Sequence, residues 1–200
     1  SIENKQVLKE LFEKWSQNKH KLPKEYSDFV KEQDRIWKEA GFVGENRIPW
    51  NGAKNIFKAT DDEIKEAAER IKAHRLAKNA GTSGNYGYLE GKIGNITKNG
   101  EMVRSGAPDD IVEIFDALPV NNKNIVRGEN SWLRTTDSEY KMLNRLANEL
   151  GAKKGKIYPH IKGELKIVSE RAYCPSCQGI IQQFNEIFPN IKLILIDGVK

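Results

Sequence analysis

The chain has 200 residues, 38% of them hydrophobic and 30% charged, and a formal net charge of +5. That length suits one domain with a small extension and a real buried core. No apolar run approaches the roughly 20 residues that a membrane-spanning helix needs, so a spanning segment is not expected. The pI of about 9.0 permits a nucleic-acid partner without demanding one. The two cysteines, Cys174 and Cys177, exclude a disulfide framework and point to metal or redox chemistry. The polar start does not read as a signal peptide, and a first residue other than Met reads as an excised piece.

Ile2 to Lys19 reads as an amphipathic helix, with Leu8, Leu11, Phe12 and Trp15 at helical spacing. Pro23 breaks it. A second helix runs from Lys24 to Ala40 and ends at Gly41, and Gly44 to Gly52 is a loop. A third helix starts at Thr60, which forms a capping box with Glu63 ahead of Ile64, Ala67, Ala68 and Ile71. Residues 1–80 are thus expected to be a helical extension packed as a shoulder on the core. Gly81-Thr82-Ser83-Gly84 reads as a flexible joint, and residues 81–200 as the second unit.

In that unit Tyr86 to Thr97 reads as a strand weakened by glycines. Asn99-Gly100 is the expected hairpin turn, with Glu101 to Ser105 returning. Pro108 and Asp109 open a short helix through Phe115, and Asn121 to Asn130 is a polar loop. A helix follows Asp137, with Leu143, Leu146, Ala147 and Leu150 as its apolar stripe and Gly151 as its cap. Gly163 to Ser169 is a strand. The helix after Cys174 buries Ile180, Ile181, Phe184, Ile187 and Phe188, and Ile191 to Ile196 is a strand buried on both faces. The order hairpin, helix, strand, helix, strand is an α/β pattern. It places two helix N-termini side by side on one face of the sheet.

Those two N-termini carry the chemistry. One begins Asp137-Ser138-Glu139 and the other Cys174-Pro175-Ser176-Cys177. Cysteine binds metal as thiolate, and a helix N-terminus favours that anion. Pro175 suits a first helical turn because its missing N–H would be unpaired there anyway. Each half has an alternative reading. Thr136-x-x-Glu139 is also a capping box. Cys-x-x-Cys is also a redox pair or half of a structural zinc site. The two halves together, each opening a helix, favour a metal site with a free acid beside it.

His-x-Glu followed by Pro-Cys-x-x-Cys is the usual pattern of the cytidine deaminase superfamily. Thr136 to Lys141 and Ser169 to Cys177, with Gln182-Gln183-Phe184 and Phe188-Pro189-Asn190-Ile191, resemble its toxin-deaminase branch from bacterial polymorphic toxins. In that branch aspartate commonly takes the first ligand position. The resemblance covers about Gly84 to Gly198 and does not extend to residues 1–80. It implies a three-layer α/β sandwich of cytidine deaminase type, a mixed sheet with helices on both faces, preceded here by the helical extension. It implies Zn2+ held by Asp137, Cys174 and Cys177, with a fourth position for water, and Glu139 as the proton shuttle. Two thiolates and a carboxylate put net negative charge on that site.

Contacts to base or ribose are expected from Trp132, Arg134, Arg171 and Tyr173 beside the motifs, and from Asn85 and Ser105 at the hairpin ends. Tyr173 stands where the superfamily has proline, and reads either as reshaping the pocket rim or as ordinary packing. His20 and His74 are expected on helix surfaces, and His160 in a loop before a core strand. The implied activity is deamination of cytosine to uracil in a polynucleotide, DNA ahead of RNA. The implied setting is a secreted toxin whose C-terminal part enters a target cell and acts in its cytoplasm, opposed by a cognate immunity protein. The chain is expected to be monomeric and not membrane-bound. Two other readings remain. One is a deaminase of free nucleosides or nucleotides. The other is a non-catalytic nucleic-acid-binding module with structural zinc, for which Glu139 would have no use.

Overall fold

The apolar runs at 163–169 and 191–196 become the two central strands, with side chains buried on both faces. The computed structural model describes residues 55–199. The helices expected at Ile2–Lys19 and Lys24–Ala40, and the loop between Gly44 and Gly52, lie outside the described residues. In chain order the strands are β1 (Ile56–Lys58), β2 (Tyr86–Ile93), β3 (Ile96–Asn99), β4 (Val103–Arg104), β5 (Pro119–Val120), β6 (Trp132–Leu133), β7 (Gly163–Ser169) and β8 (Ile191–Ile196). The helices are α1 (Asp61–Lys78), α2 (Ser138–Glu149) and α3 (Pro175–Ile187).

Five strands run in the order β1-β8-β7-β2-β3, and β4 also pairs with β2. The β1–β8 and β8–β7 pairs are parallel, and the pairs made by β2 are antiparallel. The sheet is therefore mixed, and β7 is where its sense changes. On one face α2 and α3 bury Leu143, Leu146, Ile180 and Phe184 against Leu89, Leu165, Ile167, Leu193 and Leu195. On the other, α1 lays Ala67 and Ile71 against Tyr86, Tyr88, Val168, Ile194 and Ile196. These are the three layers that the resemblance implied.

The strand and helix periodicities hold at 163–169, 175–187 and 191–196. The capping box at α1 is formed: Glu63 N donates to Thr60 Oγ1 at 3.1 Å, and Thr60 N to Glu63 Oε1 at 3.0 Å. Three expectations need correction. The hairpin turns at Gly94-Asn95, between the paired Ile93 and Ile96, with Gly94 at φ 57. Glycine in the first central position of a two-residue turn meets the twist of the flanking strands. Gly100, at φ 81, only interrupts the outer edge, and β3 and β4 pair in turn with β2.

Residues 108–118 are not helical. Their backbone donors go to side chains of α2 and α3 instead. Asn144 Oδ1 accepts from Ile114 N and Phe115 N at 2.7 and 2.8 Å. Gln183 Oε1 accepts from Asp116 N at 2.8 Å, and Ser176 Oγ from Leu118 N at 2.9 Å. The small ribbon β5–β6 follows from this segment, and no apolar alternation announces it.

The glycine joint is not loose. Arg75 in α1 donates to the carbonyls of Gly81, Ser83 and Gly84 at 3.1, 3.0 and 2.9 Å. Its guanidinium also makes a two-pronged pair with buried Glu170, just after β7. Because β1 pairs with β8 and α1 covers the sheet, residues 81–84 connect two parts of one sandwich. Removing one partner of such a pair strands a buried charge and costs about 3–5 kcal/mol. Arg75→Ala is therefore expected to lower the unfolding free energy by about that amount, as read from denaturant melts. It is also expected to open residues 81–84 to proteolysis.

Candidate metal centre and active site

Asp137 is the N-cap residue of α2, yet its side chain makes no capping hydrogen bond. An N-cap carboxylate normally accepts a backbone N–H and contributes about 1 kcal/mol by doing so. Here Oδ2 faces the second helix start, 3.1 Å from Cys174 Sγ and 3.3 Å from Cys177 Sγ. Cys174 is the N-cap of α3, with Pro175 in the first turn, and its sulfur accepts from Cys177 N at 3.4 Å. The sulfurs lie 3.2 Å apart and both cysteines are free.

All three side chains are buried, and their donor atoms lie within 4.8 Å of one another. Among the described residues this is the group of His, Cys, Asp and Glu placed to hold a metal ion. Two sulfurs and one carboxylate oxygen are a donor set that zinc accepts, and three protein ligands leave one position open. The residues present therefore fit the implied metal. Burial and the adjacent Cys174 sulfur push the Cys177 thiol well above its ordinary range. A coordinated cation reverses that sign, because a coordinating thiol is deprotonated.

Glu139 sits in the same first turn of α2 and is 2% exposed. Its Oε2 accepts from Cys177 Sγ at 2.9 Å, and its Oε1 from Asn85 Nδ2 at 3.4 Å. Burial raises its carboxyl above the usual range, partly opposed by the Cys177 contact. The site thus holds an acid that touches one donor of the metal group and is held separately by the start of β2.

Above these groups lies a cavity of about 600 Å³. Asp137, Glu139, Cys174 and Cys177 line it, together with Asn85, Ser105, Trp132, Arg134 and Arg171. Asn85 is tied into its wall. Its amide nitrogen donates to Ser138 Oγ and Ser169 Oγ at 3.2 and 3.1 Å, and its oxygen accepts from Arg171 N at 2.9 Å. Ser105 Oγ accepts from Asn85 N at 3.0 Å. The Trp132 ring is 43% exposed at the rim.

Two of the expected residues have polar groups taken up within the fold. Tyr173 does not line the cavity. Its buried hydroxyl donates to Ile167 O and accepts from Ile196 N at 3.1 Å, so the ring is fixed between β7 and β8. Its backbone N donates to Asp197 at 2.8 Å, and burial holds that carboxyl above its usual range. Arg134 lines the cavity, but its guanidinium is engaged. It donates to Val120 O at 3.1 Å, Asn121 O at 2.8 Å and Asp137 Oδ1 at 3.5 Å, and lies 3.8 Å from the Trp132 ring centre. His160 is not at the site and packs near Tyr158. Asn122 and Asn124 also line the cavity and were not anticipated. Only their place in a polar loop marked them, which does not distinguish a cavity wall from a solvated turn.

The model of a toxin-deaminase family, described as the BURPS668_1122 family of deaminases, matches residues 84–197. The chain belongs to that family. The matched span runs from the joint before β2 to the end of β8 and contains every donor described above. No curated protein and no solved structure matches the chain. Membership makes this toxin deaminase a hydrolytic deaminase by family, with a buried Asp/Cys/Cys group able to hold a metal ion. Among the described residues no helix is long and apolar enough to cross a membrane.

The purified toxin deaminase is expected to carry about one zinc per chain, by the three-ligand logic. The Cys174→Ala, Cys177→Ala double variant should carry none. Chelation should lower the melting temperature of the parent protein and leave that of the double variant unchanged, because binding is coupled to folding. Metal analysis and thermal melts check both.

Proposed function

We propose that this toxin deaminase converts cytosine to uracil in a polynucleotide, DNA ahead of RNA, using zinc held by Asp137, Cys174 and Cys177. The carrying observation is Glu139, buried 2.9 Å from Cys177 Sγ on the floor of a cavity open to solvent. A structural metal site needs no such acid. A deaminase does, because one group must move several protons.

Zinc bound there supplies a Lewis acid and a water of lowered pKa. Glu139 takes a proton from the attacking water and delivers one to the ring nitrogen next to C4. As the water oxygen bonds to C4, Glu139 takes the second proton of that oxygen and passes it to the exocyclic amine, so that C4=O forms, the C4–N bond breaks and ammonia leaves. Asn85 holds Oε1 of Glu139, which leaves Oε2 on the donor side. Trp132 offers an exposed aromatic face at the rim, and every base has a face to stack on it. Arg171 adds positive charge to the cavity wall, and the net charge of +5 favours a phosphate backbone. In this reading the chain is the effector part of a secreted toxin that works as a monomer in a target cell's cytoplasm, checked by a cognate immunity protein.

The deciding test is incubation with single-stranded DNA, double-stranded DNA, RNA and free cytidine, scored for conversion of C to U. Polynucleotide conversion is expected, and conversion of cytidine alone would overturn the substrate class. Glu139→Gln should keep zinc and melting temperature and lose roughly 10²–10⁴ in rate. Asp137→Ala should lose zinc as well. If Glu139→Gln converts at near-parental rate, the proton-shuttle role fails.

Binding of a catalytically inactive variant to DNA should weaken steeply as salt rises, because phosphate contacts release counterions. A titration at several ionic strengths checks this. An affinity flat with salt would argue for a small free substrate.

A further inference from the structure

The Asp137 carboxylate is shared between two partners. Its Oδ2 faces the two sulfurs at 3.1 and 3.3 Å, and its Oδ1 faces the Arg134 guanidinium at 3.5 Å. Both members of the ion pair are largely buried, with side chains 12% exposed. Arg134 cannot easily turn away. Val120 O and Asn121 O fix two of its nitrogens, and Trp132 covers its face. An always-charged group is therefore built beside the metal group, at the Asp137 oxygen that does not contact the sulfurs.

The charge of the donor set gives that placement a purpose. Two thiolates and a carboxylate carry one more negative charge than a divalent ion cancels. A neutral imidazole in place of Asp137 would leave none over. We infer that Arg134 is a positioning residue for the metal group. It supplies the compensating charge that an aspartate ligand requires, and it orients Asp137 so that Oδ2 faces the cysteines. This rests on the zinc reading above, and it reassigns Arg134 from substrate contact to metal support. It also explains why Asp137 leaves its own helix uncapped. Its two oxygens are committed, one toward the sulfurs and one toward the guanidinium.

The test is zinc affinity of the full chain, measured by competition with a chromophoric chelator. Outer partners of metal ligands typically contribute 10- to 100-fold in affinity. Arg134→Gln should therefore weaken zinc by about 10- to 100-fold. Arg134→Lys keeps the charge but not the fixed fork to two carbonyls, and it should recover most of that loss. In an Asp137→His background, where the ligand is neutral, Arg134→Gln should cost little or nothing. Melts in excess chelator report the fold without metal.

Two outcomes overturn the inference while the zinc site stands. One is unchanged affinity in Arg134→Gln. The other is a loss that Arg134→Lys does not recover and that is equal in both backgrounds, which would assign Arg134 to loop packing alone. If the parent chain takes up no zinc, or the Cys174→Ala, Cys177→Ala double variant binds as tightly, the zinc reading fails first and this inference falls with it.

Discussion

Acidic groups that would all be negative when ionised, held close together and away from water, are the constraint on which this molecule turns. Asp137, Cys174 and Cys177 meet within 3.1 to 3.3 Å, with Glu139 against the last of them. Two ionised groups at such a distance repel by on the order of 5 kcal/mol at an effective dielectric of about 20. The fold answers from several sides. Asp137 and the cysteine pair each open a helix, and helix N-termini carry partial positive charge. α2 and α3 lie on one face of the sheet, so those two ends converge. Arg134 faces the carboxylate from the third side. What remains is a place suited to a divalent cation.

The four residues between β7 and the first cysteine show how rigidly that place is built. Arg75 grips the side chain of Glu170, Asn85 accepts from the backbone of Arg171, and Asp197 accepts from the backbone of Tyr173. The Tyr173 hydroxyl then bridges the backbones of the two central strands. Cys174 is presented by a linker anchored along its length from α1, β2, β7 and β8. A metal or catalytic group is only as well placed as the residues that support it, and these supports come from α1 on the far face and from the sheet itself.

How much of this was legible in the sequence follows from the range of each interaction. Cys174-x-x-Cys177 and Asp137-x-Glu139 are local spacings on helix starts, so they could be read directly. The Thr60 capping box and the apolar strands at 163–169 and 191–196 are local too, and they hold. The misreadings lie where distant residues decide. Asn99-Gly100 has the stronger turn composition, yet the register of β2 against β3 puts the turn at Gly94-Asn95. Tyr173 sits beside the motif in sequence, but its hydroxyl finds partners in the sheet. Arg134 reads as a basic residue beside the motif, and its carbonyl partners on β5 and the adjoining loop are not visible in the sequence. β1 is too short for periodicity to mark, and it exists because β8 offers an edge.

The irregular stretch at 114–118 has a consequence of its own. Its shape is dictated by Asn144, Ser176 and Gln183, all buried and all on the two helices that carry the donors. The instructions for this loop are therefore stored outside it. Of the neighbouring exposed positions, Asp109 and Glu113 are themselves held by Arg145 and Tyr140 of α2, whereas Asp110 and Val112 need not encode backbone shape. A polar-to-apolar exchange at one of the three helix positions, though invisible to any reading of the loop itself, would erase the loop's conformation and disturb the ribbon that positions Arg134.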